Sequence, residues 1–249
     1  MQAYFIGGLG CNVYYPQDLM AELPFEIKYV DLYHDSVFPF LESMETFAAW
    51  FEKKVDISED IFLIAHSLGA DLAVALAARY ECVHLVLLDG GFLDMDKICS
   101  LEDELSGAKF YLEQTRFESL EKAVEVEKAS SLFWTEHLEK AVRNSYVYDE
   151  VSQSFALNFS FDLVKSLLHL RRQVFGQIDK IAGSVLLLIP ALDEDTPAWK
   201  KEALSTLPSH VRICEVRDTG HSLYTEKPKE VASIIYEEWE KILTAKRGS

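Results

Sequence analysis

Residues 61–70 read Ile-Phe-Leu-Ile-Ala-His-Ser-Leu-Gly-Ala, an apolar run that passes without a break into an Ala/Leu-rich helical pattern with a serine at the join. An unbroken apolar run of this length is a strand covered on both faces, the situation of parallel sheets flanked by helices. A strand that turns directly into a helix strains the residue at the corner and holds its side chain outward. Only small residues two positions to either side allow the turn. Ala65 and Gly69 occupy those positions. The corner also places Ser67 at a helix N-terminus, where unpaired N–H groups and the macrodipole favour negative charge.

The same alternation extends through much of the chain. Apolar, β-rich runs occur at 4–6, 25–32, 83–88, 185–189 and 211–216, and residues 16–23, 41–54, 68–79, 198–206 and 229–244 carry apolar side chains at helical spacing. Strands joined by helical crossovers pair in parallel. From 93 to 179 the alternation stops, and the sequence is acidic, aromatic and helical in pattern, with no strand expected. The predicted architecture is therefore α/β: a parallel sheet of about six strands flanked by helices, formed by residues 1–92 and 180–249. A helical cap, 93–179, is inserted after the fourth strand.

Charge removes several classes of partner. With 24 Lys and Arg against 41 Asp and Glu the formal charge is −17, and no basic block interrupts it. Such a surface repels nucleic acid and anionic membranes. No stretch of about 18 apolar residues is present to span a bilayer. The first cation is Lys28, so no positively flanked signal precedes the first apolar run, and a soluble, cytoplasmic chain is expected. Cys11, Cys82, Cys99 and Cys214 lie far apart with no C-x-x-C pair, which suggests neither a disulfide framework nor a zinc site. Cys11 lacks a neighbouring cation to activate it and reads as a packing thiol.

The segment Ala65-His66-Ser67-Leu68-Gly69 resembles the nucleophile elbow of the α/β-hydrolases, with Ala in place of the commoner first Gly. The resemblance implies a strand order of 2-1-3-4-5-6 and a serine nucleophile followed in the chain by an acid and a histidine. His221, in Asp-Thr-Gly-His-Ser after the last strand, matches the family's base. Residues 186–197 are similar to the family segment in which a strand, a turn and an Asp precede a proline-capped helix. That register gives Asp193 as the acid, with Asp195 as a near competitor and Asp89, after the fourth strand, as another. Gly7-Gly8-Leu9-Gly10 resembles the family's His-Gly-X loop, with Gly7 replacing the histidine. The oxyanion-hole donors implied are the N–H groups of Leu9 and Leu68. The spacing of phosphate-binding glycine loops is absent.

The activity implied is that of a serine hydrolase cleaving a small apolar acyl ester or thioester through an acyl-enzyme on Ser67, with His221 as base and Asp193 orienting it. No metal and no organic cofactor is called for. Gly8, His66 and Trp134 are the expected substrate-binding residues, with other aromatic side chains of the cap lining an apolar pocket. Lactone, amide or carbon–carbon bond hydrolysis and acyl transfer use the same triad, and a non-catalytic hydrolase-like ligand-binding protein is the alternative outside enzymes. The oligomeric state is not specified by the sequence.

Overall fold

Strand β1 (Gln2–Ile6) opens the computed structural model, which describes residues 1–34 and 43–247. After it come α1 (Gln17–Ala21), β2 (Ile27–Val30), α2 (Met44–Phe51), β3 (Ile61–His66), α3 (Leu68–Arg79) and β4 (Val83–Leu88). The first residues of the helix expected over 41–54 lie outside the described residues, and α2 starts where Ser43 and Thr46 form a reciprocal capping box. An insertion follows: α4 (Met95–Ile98), α5 (Leu101–Gln114), β5 (Arg116–Phe117), α6 (Leu120–Ser130), α7 (Glu136–Ser145), β6 (Tyr146–Asp149), β7 (Ser154–Leu157) and α8 (Phe161–Arg172). The chain then returns to β8 (Val185–Pro190), α9 (Ala198–Ser205), β9 (Val211–Val216), α10 (Leu223–Glu226) and α11 (Pro228–Arg247).

Six strands form one parallel sheet in the order β2-β1-β3-β4-β8-β9. With β8 and β9 as its fifth and sixth members, this is the order expected. Because side chains alternate across a strand, each central strand feeds both faces. Ile61, Leu63 and Ala65 bury into one cluster with α2, α3 and α8, while Phe62 and Ile64 bury into the other with α1, α10 and α11. Every residue of β3 is buried, as an unbroken apolar run requires. Edge strands β2 and β9 keep exposed positions instead.

The insertion differs from expectation in one respect: it is not helical throughout. β5, β7 and β6 form a small antiparallel sheet, in which Tyr146 to Asp149 pair with Leu157 to Ser154. Tyr-Val-Tyr and Ser-Phe-Ala-Leu are β-forming triplets and quartets too short to stand out against their helical surroundings. Ser100, Ser119, Thr135 and Ser160 cap α5, α6, α7 and α8, each accepting from the N–H three residues on. Packing divides the insertion. Leu163, Val164, Leu167, Leu168 and Leu170 of α8 join the main core, whereas Ala123, Val142 and Tyr146 centre a separate small cluster. The α7 region is fastened to the first loop and to α1 by polar contacts: Asn12 Nδ2 donates to the Ala141 carbonyl at 2.9 Å, and Thr135 Oγ1 donates to Asp18 at 2.5 Å.

Among the described residues, no helix is long and apolar enough to cross a membrane.

The β3–α3 corner tolerates no bulk. A Cβ on Gly69 would stand 2.4 Å from the Gly7 carbonyl oxygen and 2.8 Å from that of Ile6, both backbone atoms of the neighbouring β1 end. Gly69→Ala is expected to destabilise the fold by about 2–3 kcal/mol through overpacking. Gly107→Ala, at an exposed position of α5 with nothing within 4 Å of the added carbon, is expected to gain about 0.5–1 kcal/mol in helix propensity. Paired urea unfolding curves check both signs.

Candidate active site

Two residues at the carboxyl ends of adjacent central strands take the left-handed backbone conformation: Ser67 after β3, with φ 53°, and Asp89 after β4, with φ 43°. Non-glycine residues held there carry roughly 1–3 kcal/mol of strain each, maintained by the surrounding structure. The turns interlock. A Cβ on Gly90 would lie 2.5 Å from the Ser67 carbonyl oxygen and 2.8 Å from its Cα, so the chain after Asp89 passes the elbow only as glycine. Asp71, one turn along α3 from Ser67, accepts the Gly91 N–H at 2.9 Å and is ion-paired with Arg171 of α8 at 2.9 Å. Arg171 and Arg172 both reach Glu104 of α5, so the insertion's two core-packed helices help hold the Asp89 turn.

His221 follows β9 and bridges the pair. Its Nε2 stands 2.9 Å from Ser67 Oγ, and its Nδ1 stands 2.8 Å from Asp89 Oδ2. A carboxylate facing Nδ1 assigns the proton to that nitrogen, leaving Nε2 to accept from the serine hydroxyl. Asp89 is 5% exposed, and its second oxygen accepts from Lys200 Nζ of α9 at 2.7 Å. Burial alone would raise the Asp89 pKa, but the bonds from His221 and Lys200 outweigh it and hold the carboxyl below its usual range.

Asp193 is not brought to His221. The chain past Pro190 continues its ladder with β9, Ala191 N–H donating to the Val216 carbonyl, and then turns outward. There Asp193 is exposed, its carboxylate accepting from Thr196 Oγ1 at 2.7 Å, and the neighbouring Asp195 is exposed too. The helix that follows, α9, sends a cation back toward the histidine's partner instead of a carboxylate. Asp89, the expected outsider, occupies the position. The signal for it in the sequence is Asp-Gly-Gly directly after a buried strand, a sharp turn that only the structure shows to be pressed against the elbow. Lys200 and Asp71 carried no comparable signal.

A cavity of about 380 Å³ opens over Ser67. Gly8, Leu9 and His66 line it with the serine, together with Tyr15, Tyr111, Tyr146 and Phe159. Leu68 opens α3, so its N–H belongs to the first-turn group that lacks an intrahelical acceptor. Trp134 does not line the cavity; it packs against Ala123, Val142 and Tyr146. Phe117 and Phe155 pack there too, and Phe110, Phe133 and Tyr148 are exposed. Cys11 is buried and lines the cavity wall, and burial pushes its thiol up to about 12, which disfavours the thiolate. Among the described residues no group of His, Cys, Asp and Glu is arranged to hold a metal ion.

No family model matches the chain, and no curated protein matches it in sequence. Solved structures do match. The thioesterase domain from the curacin biosynthetic pathway superposes with a TM-score of 0.69 at 16% identity, over 94% of this chain and 89% of that one. MenH from S. aureus gives 0.68 at 14% identity over 96% and 94% of the two chains. A thermophilic esterase from Thermogutta terrifontis gives 0.67 at 17% over 97% and 90%. The fold is that of the α/β-hydrolases.

Within this hydrolase fold, His66 supports the histidine loop from the end of β3. Its Nε2–H donates to the His221 carbonyl at 3.0 Å, and its ring contacts those of His221 and Tyr224 at 4.7 and 4.8 Å. Burial, with a smaller contribution from His221, pushes the His66 pKa down to about 3. The unfolded chain takes up this proton near the ordinary histidine value of about 6.5, while the fold refuses it until about 3. Stability from this group is therefore complete above about 6.5 and lost as pH falls toward 3. The His66 ring is expected to remain neutral at pH 4.5 in ¹⁵N-imidazole spectra, and His66→Gln is expected to flatten the fall in unfolding free energy between pH 6.5 and 4.

Proposed function

We propose that the protein is a serine hydrolase that cleaves a small ester or thioester through an acyl-enzyme on Ser67. The observation that carries this reading is the unbroken relay from Ser67 Oγ to His221 to the buried Asp89, with separations of 2.9 and 2.8 Å, at the floor of a cavity. Such a relay is the activated-nucleophile arrangement in which a base is itself oriented by a third group.

As Ser67 Oγ attacks the acyl carbonyl, His221 Nε2 takes the hydroxyl proton, and the imidazolium is stabilised by Asp89. Negative charge develops on the carbonyl oxygen, and the N–H groups of Leu9 and Leu68, with the α3 N-terminus behind them, receive it. Collapse of the tetrahedral adduct expels the leaving group, which takes the proton from His221. Water then attacks the acyl-enzyme with the same base, and Ser67 is regenerated with release of the acid. Lys200 acts on Asp89 alone, neutralising the oxygen that His221 does not use and fixing the carboxylate plane. The His221 side chain is 55% exposed, which gives water access to the acyl-enzyme and favours hydrolysis over acyl transfer. The ester and thioester classes are those named for the similar thioesterase domain and esterase. The first loop, with Gly8 and Leu9, and the inserted segment acting as a cap close the site around a small substrate.

Ser67→Ala is expected to abolish turnover of p-nitrophenyl acyl esters and labelling by a fluorophosphonate probe, with circular dichroism unchanged. Asp89→Asn is expected to lower kcat/KM by up to about 10⁴-fold, because the imidazole then favours the wrong tautomer. Asp193→Asn, remote from His221, is expected to stay within about twofold of the parent. Steady-state kinetics on the three purified variants decide the assignment, and a crippled Asp193→Asn beside an active Asp89→Asn would reject it.

A further inference from the structure

Among the described residues lining the cavity over Ser67 there is one carboxylate, that of Glu127. Glu127 lies on α6, four residues from the fully buried Ala123 and so on the face that turns inward. Among the described residues lining the cavity there is no Lys or Arg, and His66 is neutral above about pH 3. One Glu127 oxygen, Oε1, accepts from the Tyr146 hydroxyl at 3.2 Å. Among the described residues the carboxylate makes no ion pair and its other oxygen has no hydrogen-bond partner, whereas the deeply buried Asp71, Glu104 and Asp89 are each matched to a cation. Three phenol rings, of Tyr15, Tyr111 and Tyr146, share the cavity with it. Burial raises the pKa of each, and the Glu127 charge adds to the rise, which places all three within its field.

We propose that Glu127 with Tyr15, Tyr111 and Tyr146 forms a subsite for a cationic group, an alkylammonium or protonated amine, at the end of the substrate remote from the scissile carbonyl. An unpaired carboxylate in a partly desolvated cavity attracts a cation far more strongly than one in water. Aromatic faces add cation–π attraction without supplying a competing charge. The cavity thus combines two chemistries: the serine with its neighbouring N–H groups, and a carboxylate from α6 among aromatic side chains from α5 and β6. An overall charge of −17 supplies long-range attraction of the same sign. Acyl groups or leaving groups ending in carboxylate or phosphate are disfavoured by the same residue. The inference rests on Ser67 being the nucleophile only for the direction in which the substrate lies.

A matched set of p-nitrophenyl esters tests it. The 4-(trimethylammonio)butanoyl and 5,5-dimethylhexanoyl esters have the same shape and differ in charge, and the monoglutaryl ester supplies the anionic counterpart. The expected result is a kcat/KM ratio of about tenfold or more for the cationic over the neutral ester, with the glutaryl ester slowest. In Glu127→Gln, which keeps an acceptor for Tyr146, that ratio is expected to collapse to about one, and in Glu127→Asp to fall between. Calorimetric titration with butyltrimethylammonium is expected to show binding to the parent and none to Glu127→Gln. A parent ratio near one, or a ratio untouched by Glu127→Gln, overturns the subsite while leaving the hydrolase reading intact if Ser67 is still labelled by fluorophosphonate. Absence of both labelling and turnover overturns the hydrolase reading, and the calorimetric result then decides the subsite alone.

Discussion

The elbow at Ser67 leaves no room for side chains where three segments meet: the end of β1, the start of α3 and the turn after β4. Gly69 lies against the backbone of Ile6 and Gly7, and Gly90 against the backbone of Ser67 itself. Backbone-to-backbone contact fixes position more firmly than contact through flexible side chains, because neither partner has a rotamer with which to yield. Both strained residues, Ser67 and Asp89, sit inside this contact. The sheet supplies the rigidity. Ser67 N–H donates to the Leu88 carbonyl and Asp89 N–H to the Leu188 carbonyl, so each corner is pinned to the next strand as it leaves the ladder.

Much of this was legible in the residues. The unbroken apolar runs of β3, β4 and β8 report burial on both faces, and the alternation with helices reports parallel pairing, so the large sheet could be read directly, while its strand order came from the resemblance of the elbow segment to a known family. Ser67 was legible because a strained corner imposes local rules on its neighbours, and His221 because a Gly-His pair follows the last strand. The small antiparallel sheet was not, since strands of two to four residues carry too little periodicity to compete with the helical pattern around them.

The acid shows a different limit. Asp89 and Asp193 each follow a buried strand, and the resemblance of residues 186–197 to a family segment favoured Asp193. What separates them is the path of the chain past Pro190, which is set by one more rung of the ladder between Ala191 and Val216. That rung carries Asp193 away, and α9 then returns Lys200 to the unused oxygen of Asp89. A lysine contributed by α9, more than a hundred positions from its partner, leaves no periodic trace. Contacts of this kind belong to tertiary structure alone.

The division of packing within the insertion has a consequence for how this chain can change over generations. α8 is anchored in the main core, while α6, α7 and the three short strands close over a small cluster of their own and meet the first loop largely through polar contacts. Tyr146 and Leu157, which line the cavity over Ser67, therefore pack in a cluster separate from those of the sheet. Replacing those two repacks the small cluster and leaves the contacts on both faces of β3 in place. A lineage carrying this scaffold can rewrite that wall of the cavity while the strained corner beneath is inherited unaltered.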